Sequence, residues 1–523
     1  MSDPVVTTTH GPVRGTNEGG VNVFKGVRYG ADTGGANRFL PPKAPESWTE
    51  VLDAKEYGSA APQPVGGSPF RNHPELSQIV PARPLAALNE DCLFLNVWSH
   101  GLGDGGKRPV MVWLHGGGWT AGSGGSPVND GCALANRGDV VVVTVNHRLS
   151  VLGYLYLADV LGDDYARSGC AGLADMVLAL EWVRDNIEAF GGDPGNVTIF
   201  GESGGGVKVH SLLATPSAKG LFHRAVIQSG SAQHWATIEE AGRLTTAMLE
   251  ELGLDADHAR EILDVPWEQL IKAQGAVMRR NRGSGGLTGT MAEGDYGVMP
   301  VVDGIDLPED PAAAIANGAG SDIPLLIGSN KDEAGYFITN TADFQGLTEE
   351  ELRSRVQIVL KDEADDLIAT YRAEHPEASP ADLLMAIGSG VEHKRVRLVA
   401  ANKASADGAA PVFAYMFTWE TPIGGGILRS PHTIEIPFVF DNVDATPLTG
   451  DGEDRYKIAA TMSSTWIAFA RTGDPNHEGL PQWPAFSAEE PAMMILDFEP
   501  RLEASNLSTE MAAWDPVADR IRH

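Results

Sequence analysis

The stretch "TIFGESGGGVKVHSLLA", Thr198 to Ala214, sets a serine among four glycines where an apolar, β-rich run gives way to a helix. Val197 to Phe200 is β-branched and aromatic, follows turn residues, and reads as a short buried strand; Val207 to Leu213 reads as the start of a helix. Ser203 stands on the corner between them. Gly201-Glu-Ser-Gly-Gly205 satisfies G-x-S-x-G, a spacing suited to a strained strand-to-helix turn that pushes the serine hydroxyl out above a sheet. Side chains two residues to either side would collide, so glycine is needed there. In a chain with 61 glycines the pattern alone is weak; its weight comes from the strand and helix around it.

A nucleophilic serine needs a base, an orienting acid and donors for a developing oxyanion. Trp113-Leu-His-Gly-Gly-Gly-Trp119 follows another apolar strand and offers such donors, and no Lys-Ser/Thr pair follows it as a phosphate loop would require. The backbone N–H groups of Gly117, Gly118 and Gly204 are the expected oxyanion hole. In α/β-hydrolases the acid and then the histidine follow the serine. Five of the 14 histidines lie beyond residue 333. His375 and His477 sit in surface-like turns, His393 in a charged helical run with Lys394, Arg395 and Arg397, and His523 is terminal. His432 opens Pro431 to Phe440, a loop entering a strongly apolar segment, and is the expected base. For the acid, Asn330-Lys-Asp-Glu-Ala-Gly335 follows the strand Pro324 to Gly328, at a C-terminal strand edge where α/β sites assemble. Spacing alone does not separate Asp332 from Glu333.

Outward from this core, strand-like runs recur with helices between them: Pro109–Leu114, Val140–Val145, Ala225–Gln228, Pro324–Ile327, Val412–Phe417 and Met493–Leu496. Several are continuously apolar, as strands covered on both faces of a mostly parallel sheet should be. Leu173, Met176, Val177, Leu180, Val183, Ile187 and Phe190 keep helical spacing and predict one helix ending at Gly191-Gly192. Val5 to about Arg28 reads as short antiparallel strands. The 523 residues therefore read as one α/β domain, 1–523, with helical cap insertions at approximately 236–320 and 340–405.

The formal charge of −31, from 70 acidic against 39 basic residues, opposes nucleic acid and anionic lipid as partners. No apolar run of about 18 residues predicts a membrane span. Met1-Ser-Asp-Pro4 lacks a secretory pattern. Cys92, Cys132 and Cys170 make neither a disulfide framework nor metal-ligand spacing, so a reduced, cytoplasmic protein without a metal is expected.

Gly-Glu-Ser-Gly-Gly after Phe200, Leu114-His-Gly-Gly-Gly-Trp119, Glu90-Asp-Cys-Leu-Phe-Leu-Asn-Val-Trp98 and Lys331-Asp-Glu333 resemble the type-B carboxylesterases, the cholinesterase-like branch of the α/β-hydrolases. So do His432 with Glu435-Ile-Pro-Phe438, Phe469-Ala-Arg-Thr-Gly-Asp-Pro475, Phe24-Lys-Gly-Val-Arg-Tyr29 and Arg38-Phe-Leu-Pro-Pro42, and together they span nearly the whole chain. The resemblance implies an α/β-hydrolase fold with Ser203 as nucleophile, His432 as base and Glu333, not Asp332, as acid. It implies that Ser229 supports the triad by hydrogen bonding and that Trp235 and Trp119 line the substrate pocket, a buried core role standing beside that reading for both. It implies hydrolysis of carboxylic esters, with lactones and carbamates as related substrates, and no cofactor. The 11 Trp and 16 Phe would suit an apolar or aromatic small-molecule ester; oligomeric state is not readable. Three departures stand out: Gly204 where the family usually has alanine, Ala334 where glycine usually follows the acid, and no cysteine upstream of Cys92. Rival readings are a non-catalytic binding protein of the same fold and a dinucleotide-binding oxidoreductase; the latter lacks a clear G-x-G-x-x-G constellation.

Overall fold

The computed structural model describes residues 3–66, 70, 76–78, 86–232, 234–281, 297–339, 344–504, 509–518 and 521. Among these residues fourteen strands run in chain order as β1 (Val5–Thr7), β2 (Pro12–Arg14), β3 (Thr16–Glu18), β4 (Val21–Arg28), β5 (Leu52–Asp53), β6 (Phe94–Ser99) and β7 (Arg108–Leu114). They continue as β8 (Val141–Val145), β9 (Gly192–Glu202), β10 (Arg224–Gln228), β11 (Leu325–Asn330), β12 (Val412–Phe417), β13 (Ala492–Leu496) and β14 (Arg501–Ala504). Eleven of them form one sheet in the order β14-β13-β12-β11-β10-β9-β7-β8-β6-β4-β3, and β1, β2 and β5 form a small second sheet. From β8 to β13 every neighbouring pair is parallel, whereas β3, β4, β6 and β14 join antiparallel at the flanks. The mostly parallel sheet with N-terminal antiparallel strands is as the sequence predicts.

The reason is visible in which residues meet. Val110, Val112 and Leu114 of β7 pack into one apolar cluster, while Met111 and Trp113 pack into another on the opposite face. β10 divides in the same way, Ala225 and Ile227 against Val226, and so does β11, Leu325 and Ile327 against Leu326. With both faces covered, alternation is useless and the strands are apolar throughout. The helix predicted from Leu173 to Phe190 is α-helical only over Ala171–Asn186; its last turn, Ile187–Phe190, tightens to a 3₁₀ helix against Gly191, whose φ of 79° caps it. Beneath the sheet's edge loops, Arg148 and Asp175 form a buried ion pair, Nη2 to Oδ1 at 2.6 Å and Nε to Oδ2 at 2.9 Å.

Helices occupy most of the described residues of 236–320 and 340–405. Ile238–Leu252, Glu349–Leu360 and Pro380–Ala404 each begin with a capping box, from Thr237, Thr348 and Ser379 respectively. Leu352, Val356, Leu367, Tyr371, Leu384 and Ile387 build a separate apolar cluster, but Val396, Val399 and Ala400 of the long helix join the core of the sheet. Residues 282–296 and 340–343 of these stretches, and His523, lie outside the described residues. Among the described residues no helix is long and apolar enough to cross a membrane.

Candidate active site

The C-terminal ends of β7, β9, β10 and β11 lie side by side, and four of the expected site segments leave from them: Gly116–Gly118, Ser203, Ser229 and Glu333. This is the edge where parallel α/β sheets gather ligand-binding loops. Ser203 begins the helix Gly204–Ala214 with φ 56° and ψ −125°. A non-glycine residue in that region is strained by about 1–3 kcal/mol, and here hydrogen bonds hold it, Ser203 N–H donating to Gln228 O at 2.8 Å and Val207 N–H to Ser203 O at 3.1 Å. The glycines make the corner possible. A methyl on Gly201 would stand 2.5 Å from the Gly205 carbonyl carbon and 2.6 Å from Leu114 O. Ser229 (φ 48°) and Thr433 (φ 77°) also have positive φ.

His432 and Glu333 meet. Nδ1 of the imidazole lies 2.5 Å from Glu333 Oε2, and the other carboxylate oxygen accepts from Ser229 Oγ and from Asn330 N–H, each at 2.6 Å. Asp332 points elsewhere, between Lys331 and Arg429, 3.9 and 3.8 Å from their nitrogens. The choice that spacing left open is thereby decided in geometry: Glu333 is the carboxylate on the histidine. Nε2 of His432 faces Glu202 Oε1 at 3.3 Å. Ser203 Oγ makes no hydrogen bond among the described residues, a common state of such groups without substrate.

Three buried glutamates surround this histidine, and their environments separate them. Burial alone would push the Glu333 carboxyl up, but the His432 charge and hydrogen bond, the Ser229 hydroxyl and the Asn330 N–H outweigh it and hold the group low. Glu202 is pushed well above the usual range by burial, reinforced by Glu435 and Glu333. Glu435 also rises through burial and Glu333, although Asn330 Nδ2 donates to it at 2.6 Å and Gln228 Nε2 at 3.2 Å. For His432, burial acts downward, and the carboxylates of Glu202 and Glu333 more than reverse it. A carboxylate whose charged form is favoured thus meets an imidazole whose charged form is favoured, the pairing of separated environments that acid–base sites use.

Gly117 and Gly118 are exposed with φ of 91° and 61°, and the loop reaches the serine: a methyl on Gly116 would lie 3.5 Å from Ser203 Cβ. Each peptide whose N–H is an expected donor has its carbonyl bound on the far side. Gly116 O meets His115 Nδ1 at 2.8 Å, Gly117 O accepts from Ala121 N–H at 3.0 Å, and Ser203 O accepts from Val207 N–H. Such chains polarise the donors. Trp235 is 1% exposed with its indole N–H on Ser211 Oγ at 2.8 Å, the arrangement of a satisfied core aromatic. Trp119, 8% exposed, packs edge-on against Tyr154.

Sequence reasoning passed over several neighbours. Tyr336 and Phe337 follow Glu333 by one helical turn, with ring centroids 5.9 and 5.2 Å from the His432 ring, and Phe70 lies 5.2 Å from Tyr336. His393, set aside as part of a charged helix, places Nε2 3.0 Å from Asn330 O, behind the acid's own strand. The available signal for Glu202 and Glu435 was an acidic residue inside an otherwise apolar run, which predicts a buried carboxylate. Among the described residues no group of three or more His, Cys, Asp or Glu side chains is placed to hold a metal ion.

The sequence profile described as "Carboxylesterase family" matches residues 2–514. The chain is 37% identical to the para-nitrobenzyl esterase of Bacillus subtilis, covering 96% of each protein, and 35% identical to the phenmedipham hydrolase of Pseudarthrobacter oxydans, covering 99% of each. Among solved structures, the carboxylesterase EST55 of Geobacillus stearothermophilus superposes with a TM-score of 0.83 at 37% identity, over 98% of this chain and 100% of that one.

Proposed function

Because the chain belongs to the carboxylesterase family, with an α/β-hydrolase fold and carboxylic ester hydrolysis as its activity, we propose that it cleaves esters by two-step acyl transfer on Ser203, His432 and Glu333. As the ester binds, His432 Nε2 exchanges Glu202 for Ser203 Oγ and takes its proton while Oγ attacks the carbonyl carbon. Glu333 fixes the tautomer with hydrogen on Nδ1 and stabilises the imidazolium. The N–H groups of Gly117, Gly118 and Gly204 receive the oxyanion, each such donor contributing about 3 kcal/mol. Collapse expels the alcohol, which takes its proton from His432. Water then repeats the sequence on the acyl-enzyme, releasing the acid and restoring Ser203.

The observation that carries this reading is the buried 2.5 Å contact between His432 Nδ1 and Glu333, with Glu202, the residue before Ser203, 3.3 Å from the other ring nitrogen. Ser203→Ala should fold normally, lose nearly all hydrolysis of an activated aryl ester, and lose stoichiometric labelling by a fluorophosphonate. Retained turnover in a clean preparation refutes the assignment. Tyr336 and Phe337 beside the imidazole support an apolar or aromatic ester as substrate; a panel of aryl esters, alkyl esters, carbamates and lactones ranks the classes. The unpaired thiols of Cys92, Cys132 and Cys170 support a reducing, cytoplasmic setting.

A further inference from the structure

Lys208 lies one turn into the helix that Ser203 begins, and it is fully buried. Side chains on a helix lean toward its N-terminus, and this one reaches the turn after β7: Nζ donates to His115 O at 2.7 Å and lies 5.8 Å above the Trp119 ring. The amine makes no ion pair among the described residues. His115 stacks on His147 at 4.9 Å, and both imidazoles are held well below their usual range by burial and by Lys208 itself. A buried amine with a single acceptor is a costly choice where an apolar chain of equal length would fill the same space, so stability does not account for it.

We propose that Lys208 is a positioning residue for the oxyanion loop, its Nζ fastening the His115 carbonyl so that Gly117 and Gly118 N–H stay aimed at the reacting carbonyl oxygen; the inference rests on the acyl-transfer reading above. Two contacts and one peptide make the chain. Lys208 holds the peptide that precedes Gly116; the His115 ring, fixed by that hold, donates from Nδ1 to Gly116 O; and Gly117 N–H belongs to the peptide so polarised. The space that Gly204 leaves brings Gly118 directly onto the same helix, one turn before Lys208. Burial pushes the amine down to about 7, yet the charged and neutral forms both carry N–H, so the fastening survives on either side of neutrality.

The test compares Lys208→Met, which keeps length without a donor, with Lys208→Gln, which retains an N–H of shorter reach. On an activated aryl ester, Lys208→Met should lower kcat at least tenfold with KM within twofold, and an aryl trifluoromethyl ketone, which forms a tetrahedral adduct with the serine, should bind weaker by the same factor. Lys208→Gln should recover part of both, with circular dichroism unchanged throughout. Should Lys208→Met fail to fold, Lys208→Gln decides alone: a threefold or greater kcat loss at unchanged KM supports the proposal. A kcat within twofold of wild type, a loss carried by KM, or unchanged ketone affinity overturns it. Ser203→Ala is run alongside, since activity surviving there overturns the acyl-transfer reading and this proposal with it, whereas a dead Ser203→Ala beside a fully active Lys208→Met overturns only the role of Lys208.

Discussion

Gly204→Ala installs the residue usual in the resembled family, and it should damage this protein. A methyl built on Gly204 stands 2.5 Å from Gly118 O and overlaps the N and Cα of the same residue. Ordinary contact between such atoms needs about 3.5 Å, so one partner must move by about 1 Å. Helix Gly204–Ala214 is anchored by its buried face in the sheet, while Gly117 and Gly118 are exposed; the loop therefore gives way. Alanine at a helical position brings back up to about 1 kcal/mol of backbone entropy, against about 1–3 kcal/mol for overpacking, and the net change in stability is small. Catalysis feels more, because a 1 Å displacement of a positioned group costs on the order of 100-fold, about 2.7 kcal/mol. The expected result is kcat lowered about 100-fold on an activated aryl ester with KM little changed, measured after active-site titration. Wild-type kcat together with a raised melting temperature would refute the claim that the Gly204–Gly118 approach sets the oxyanion donors.

Glu333→Gln keeps the shape but removes the carboxylate that orients His432; by analogy with the Ser-His-Asp template kcat should fall about 10⁴-fold, and a loss under tenfold in a kinetic assay speaks against Glu333 as the acid. Because neighbouring carboxylates raise the His432 pKa in the free protein, and the protonated imidazole cannot accept from Ser203, kcat/KM should fall with decreasing pH along an acid limb centred above the ordinary 6.5 of histidine. A pH–rate profile with that limb at or below 6.5 contradicts the electrostatic account. Phe337 is 43% exposed beside the imidazole, so Phe337→Ala should lower kcat/KM for aryl over alkyl esters about 2- to 10-fold, with stability changed by about 0.5 kcal/mol or less; an unchanged aryl-to-alkyl ratio removes it from the pocket. Asp175→Asn strips the only carboxylate from buried Arg148 among its described contacts and should destabilise folding by about 3–5 kcal/mol, read from denaturant melts.

Much of this was legible along the chain because the chemistry is local. The serine elbow needs glycines at fixed offsets, so Gly201 and Gly205 announce the corner wherever it folds. Continuous apolar runs announce strands covered on both faces, and the apolar stretches of β7, β8 and β12 obey that rule. His432 could be singled out because it alone of the late histidines enters an apolar segment. Other features had no local signature. Asp332 and Glu333 are adjacent, equally acidic, and differ only in which direction the turn after β11 sends each side chain; Ser229 and Asn330 arrive from separate strand ends to make that choice. Lys208 reads as an ordinary helical charge until the turn after β7 closes over it and its amine meets His115 O. Burial and hydrogen bonding are properties of the packed neighbourhood, so the sequence determined which groups are present, and only tertiary packing decided which of them are buried, which carboxylate has its charged form favoured, and which meets the imidazole of His432.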